Sequence, residues 1–67
     1  MGRRVRALRQ AMGLSQERFG EVAGIHRTAV GHLEQGLKDP RLSTLRRVAN
    51  ALHVELDVLL KDLPGPL

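Results

Sequence analysis

Apolar residues recur along this chain at helical spacing, and no strand pattern is evident. Val5, Leu8, Arg9 and Met12 fall at i, i+3, i+4 and i+7, which predicts the inner face of a first helix over about Arg3 to Met12. Three of the four are apolar and Arg9 interrupts the stripe. Gly13 is suited to end the helix in the left-handed conformation, and Leu14 then turns back toward the core. Ser15 reads as the N-cap of a second helix, Gln16 to Ala23, with Phe19, Val22 and Ala23 inside. Three residues after the cap stands Arg18, so the reciprocal capping box is missing. Gly20 costs this helix roughly 1 kcal/mol against alanine, a cost explained if another helix crosses close by.

Gly24 ends the second helix, and a third follows over about residues 27–35, with Val30, Leu33 and Glu34 on its inner face. A charge again sits within an apolar stripe. Arg9 and Glu34 are opposite in sign, which predicts a largely buried ion pair tying the first helix to the third. His26 occupies the N-cap place, where imidazole is a poor acceptor, so the start of the third helix is expected to fray or to be completed by a ligand. Gly36 closes the helix, and a loop over residues 37–41 leads to a fourth that begins between Arg41 and Ser43. Leu42, Leu45, Val48, Ala49 and Leu52 form its stripe, and His53 stands where a helix-ending glycine is expected. A short fifth helix, about Glu55 to Lys61, carries Leu56, Leu59 and Leu60. The expected fold is all-α, a five-helix domain over residues 1–62, with 63–67 as a C-terminal tail or linker stub, since its two prolines oppose a helix.

The outward face of the third helix changes the picture from fold to function. Arg27, Thr28, His32 and Gln35 share it, while Val30 and Leu33 anchor the helix from behind. A short helix with an apolar back and a polar, basic front suits a nucleic-acid groove. The formal net charge of +4 favours a polyanionic partner. Most of the positive residues are arginines, which suit two-pronged contacts to phosphate or guanine but also fit a GC-rich coding sequence. Phe19 is the one aromatic residue, so a stacking platform for single-stranded bases is lacking and duplex DNA is the expected target.

Other classes are poorly served. The chain has no cysteine, and its three histidines, at 26, 32 and 53, form no tight ligand cluster, so no metal site is expected. No nucleophile–base spacing or glycine-rich phosphate loop is evident, so neither an enzyme nor a cofactor is expected, and no small-molecule ligand suggests itself. No apolar run reaches transmembrane length and no signal segment opens the chain. A cytoplasmic protein, nucleoid-associated when bound to DNA, with no membrane partner, is the expectation.

The residues Leu14-Ser15-Gln16-Glu17, Gly20, Gly24, Val30, Leu33-Glu34-Gln35-Gly36, Pro40, Leu42, Thr44-Leu45, Ala49 and Ala51-Leu52 stand in a single register. With them the chain resembles the lambda-repressor-like, Cro/C1-type (XRE) helix-turn-helix family over about Arg3 to Leu60. The run Gly24-Ile25-His26-Arg27-Thr28 also resembles restriction–modification controller proteins of that family, more loosely. The resemblance implies that the second helix lies across the DNA backbone and the third enters the major groove. It further implies that Gln16 binds phosphate, that Arg27, Thr28 and His32 face the bases, and that Gln35, Lys38 and Arg41 touch backbone. Arg9 and Glu34 match a pair bridging helices one and three. His26, Gly31 and His53 depart from the family pattern.

Several of these positions also have plain structural readings. Gln16 and Thr28 are ordinary first-turn residues, His32 and the loop charges Lys38 and Arg41 suit solvent, and Arg27 is open between base and phosphate. Leu56, Val58, Leu60 and Leu63 exceed what a short terminal helix needs for its core, which points to a homodimer contact. The function expected is a sequence-specific transcriptional regulator of duplex DNA. The alternative is a protein-interaction module, such as the antitoxin component of a toxin–antitoxin pair.

Overall fold

The computed structural model describes residues 1–36 and 40–60. They form α1 (Gly2–Ala11), α2 (Gln16–Ala23), α3 (Arg27–Gln35), α4 (Leu42–Leu52) and α5 (Leu56–Leu60), with no strand among the described residues. Lys38 and Leu63, together with the 63–67 tail, lie outside the described residues.

Local chemistry accounts for most of the boundaries. Gly13, at φ 73°, follows α1, and its N–H donates to the Gln10 carbonyl at 2.9 Å. At the start of α2, Ser15 Oγ accepts from the Arg18 N–H at 3.0 Å, satisfying one orphan donor of the first turn. Gly24 closes α2 at φ 75°. His53 caps α4 at φ 59°, the same left-handed role filled by a residue with a side chain.

Five side chains have no exposure at all, and each helix supplies one: Val5, Phe19, Val30, Val48 and Leu59. Leu33, Leu45, Ala49 and Leu52 fill in around them. Sharing the core in this way leaves no helix able to bury its apolar face alone.

Three expected core positions lie outside it. Met12 is 39% exposed, Val22 51% and Leu42 52%. Met12 comes after the last turn of α1. In α2 the buried residues are Phe19, Gly20 and Ala23; at about 100° per residue, Val22 falls on the flank of that face. Leu42 opens α4 on one flank of its buried face, and Ala51 joins the core from the other flank.

Gly20 is buried, but its close neighbour is the turn after α2 rather than a crossing helix. A Cβ there would lie 2.6 Å from the Ile25 carbonyl oxygen and 3.3 Å from the Arg27 nitrogen. Gly20 thus allows the two helices of the motif to meet through a tight turn. At the other end of α3, a Cβ on Gly2 would collide with the Glu34 carbonyl, so glycine lets the start of α1 seat against the end of α3.

Candidate nucleic-acid interface

The start of α3 is completed from within the chain. His26 Nδ1 accepts a hydrogen bond from the Thr28 N–H at 3.0 Å. This corrects the expectation that histidine would cap poorly: with Nδ1 unprotonated, the imidazole offers the lone pair that serine or asparagine would supply. The sequence placed His26 at the N-cap, but its residue type gave no hint that Nδ1 would fill the acceptor role.

Behind that helix, Val30 and Leu33 are buried. In front, Arg27, Thr28 and Gln35 are exposed and His32 is half-buried. Arg27 Nη1 stands 4.0 Å from Glu17 Oε2, with both side chains about two-thirds exposed (67% and 69%). This is a loose surface pair joining the first turns of the two helices. Arg41 is exposed at the N-cap of α4.

Arg9 and Glu34 meet beneath α3. Arg9 Nε donates to Glu34 Oε2 at 2.7 Å and Nη2 donates to Oε1 at 3.1 Å, with side-chain exposures of 8% and 4%. A third donor, Nη1, reaches the Leu14 carbonyl at 2.7 Å. The hydrogen bond to Glu34 holds the Arg9 guanidinium above the usual arginine range, burial opposes it, and the charge of Glu34 adds to the rise. Every side-chain polar atom buried among the described residues has a partner.

Gln16 joins the same cluster, which sequence reasoning did not foresee. Its Nε2 donates to Glu34 Oε1 at 3.1 Å. Its own carbonyl oxygen passes 3.8 Å from where a Gly31 side chain would begin. The candidate phosphate ligand of α2 therefore lies alongside α3. Arg3 is exposed and borders a shallow hollow with Gln35 and Gly36.

Of the candidate dimer residues, Leu56 and Leu60 are half-buried and pack against the core, and Val58 is half-buried. Leu59 is wholly core. The apolar surplus on α5 is thus smaller than the residue count suggests. No helix among the described residues is long and apolar enough to cross a membrane.

The helix-turn-helix family profile matches residues 5–59. The chain is 40% identical over 60 residues to the SPbeta prophage-derived HTH-type transcriptional regulator YonR of Bacillus subtilis, covering 90% of this chain and 56% of that protein. It is 41% identical over 56 residues to the control protein C.SmaI of Serratia marcescens, covering 84% of this chain and 67% of the relative. The chain thus spans little more than half of the first relative's length. Among solved structures, the P22 c2 repressor in complex with a synthetic operator is similar with a TM-score of 0.84 and 30% identity, over 90% of this chain and 91% of that one. The restriction–modification controller C.AhdI of Aeromonas hydrophila is similar with a TM-score of 0.81 and 40% identity, over 87% and 88%.

Proposed function

The chain belongs to the lambda-repressor-like, Cro/C1-type helix-turn-helix family, and from that membership we propose that it is a sequence-specific regulator of transcription that binds duplex DNA as a homodimer. In this reading α3 enters the major groove of each half of a two-fold-related operator. The observation that carries it is the outward face of α3: Arg27, Thr28 and Gln35 are exposed, on a helix whose Val30 and Leu33 are buried behind them. The likeness to a repressor solved on its operator supports the same orientation.

The roles divide by chemistry. Gln16, Gln35, Lys38 and Arg41 bind phosphate and hold register, and such contacts carry no sequence information directly. Arg27, Thr28 and His32 face base edges, where arginine can make a two-pronged contact to guanine and threonine a contact to a thymine methyl. Half-buried Leu56, Val58 and Leu60, with Leu63, form the dimer contact and set the two recognition helices about 34 Å apart, one turn of DNA.

Selection of bound sequences from random duplex DNA should return a two-fold-related site, bound more weakly as salt rises. Lack of salt-dependent duplex binding would overturn the reading. Sedimentation that finds a monomer at high micromolar concentration, with no cooperativity on DNA, would overturn the dimer.

A further inference from the structure

Glu34 collects three donors from two places in the chain. Arg9 Nε and Nη2 come from α1, and Gln16 Nε2 comes from the first turn of α2. Arg9 also fixes the Leu14 carbonyl, two residues before Gln16. The carboxylate, the loop entering α2 and the Gln16 side chain are thereby tied into one body.

We propose that Glu34 is a positioning residue for DNA binding: it holds the Gln16 amide so that the second hydrogen on Nε2 is presented to a phosphate oxygen. The proposal rests on the function read above, in which Gln16 is a phosphate ligand. A glutamine amide nitrogen carries two hydrogens. One is used on Glu34 Oε1 at 3.1 Å. Because the amide is planar, fixing that hydrogen also fixes the direction of the other. The Gln16 side chain is exposed and makes no further hydrogen bond among the described residues, so the second hydrogen is available to a ligand.

A carboxylate this close to a phosphate site would ordinarily repel it. Here Arg9 neutralises Glu34 through a two-pronged contact, and the Glu34 side chain is itself only 4% exposed. Glu34 can therefore orient a donor without bringing net negative charge to the interface. The benefit is entropic. Binding orders a rotamer-rich side chain at a cost of about 0.5–1.5 kcal/mol, which is about two- to ten-fold in affinity per half-site. A glutamine held in place beforehand avoids much of that loss.

The test replaces the ion pair by an apolar pair, Arg9→Met with Glu34→Leu, an exchange that buried ion pairs commonly tolerate. Duplex affinity is measured across salt for the parent, Gln16→Ala, the apolar-pair protein and the combination. The apolar pair should weaken binding about two- to ten-fold per half-site with an unchanged salt slope, because no phosphate-neutralising charge is lost. Gln16→Ala should then cost clearly less in that background than in the parent. Equal losses in both backgrounds overturn the proposal while leaving the DNA-binding reading intact; a parent that binds no duplex overturns both.

A second measurement needs no variant. In the side-chain amide spectrum of the parent, one Nε2 hydrogen of Gln16 should stay unmoved on adding duplex and the other should shift. Equal movement of both, or of neither, overturns the proposal even if the apolar-pair protein fails to fold.

Discussion

Two arginine–glutamate pairs flank α3, and they differ in almost every physical respect. Arg9 and Glu34 lie behind the helix at 2.7 Å, with side chains 8% and 4% exposed. Arg27 and Glu17 lie in front at 4.0 Å, both about two-thirds exposed (67% and 69%). The rear pair is held by two hydrogen bonds and tied to Leu14. The front pair is long and exposed to solvent and contributes little to stability. The same two residue types thus make a fixed support in one place and a readily exchanged contact in the other. A DNA-binding helix requires both, a back that does not move and a front that gives up its partners when a ligand arrives.

The largest expected effect breaks the rear pair. Glu34→Ala leaves Arg9 buried without its counter-charge and should cost about 3–5 kcal/mol. For a domain of this size that corresponds to roughly 4–8 °C in Tm for each kcal/mol. A melt within a degree or two of the parent would contradict it. The raised pKa of Arg9 sets the sign of its pH dependence. Its contribution is fully present below the ordinary arginine value and is lost only as pH rises through the higher folded one, so the arginine side of the pair does not titrate away near neutrality.

Breaking the front pair should leave the melt alone and change recognition. Arg27→Ala should lose about 1–3 kcal/mol of discrimination at one base position in each half-site, read by titrating matched and one-base-changed operators. If both affinities fall equally, Arg27 is a phosphate clamp instead.

A smaller effect concerns the cap between the two regions. His26→Ala removes the acceptor for the Thr28 N–H and should cost about 1 kcal/mol, whereas His26→Ser should restore most of it. Equal destabilisation by both would show that the imidazole acts by packing rather than by capping.

The smallest change sharpens the comparison from the acidic side. Glu17→Ala should shift stability by less than about 1 kcal/mol and modestly tighten duplex binding at low salt by freeing Arg27 and removing a negative charge from the interface. Weaker duplex binding in this variant would show that Glu17 positions Arg27 rather than restrains it.

Much of this arrangement was legible in the residues. Helix ends are set by short-range chemistry: Ser15 caps the third N–H after it, and Gly13, Gly24 and Gly36 adopt the left-handed conformation that stops a helix. The buried pair was legible too, because two opposite charges inside two apolar stripes have few ways to avoid each other. The outward face of α3 followed from helical period alone.

Tertiary packing decided what local pattern left open. Periodicity assigns an apolar face but not which end of it a neighbour covers, so Met12, Val22 and Leu42 lie outside the core while Ala51 lies inside. Gly20 answers to a turn five residues further on, and its close contact appears only once that turn is built. Gln16 and Glu34 are 18 residues apart, and Arg9 and Glu34 are 25 apart. Composition and spacing could pair the two charges, since burial forces them together. They could not place a neutral amide on the same carboxylate, because an exposed glutamine has no such compulsion and its partner is chosen by the angle at which α2 meets α3.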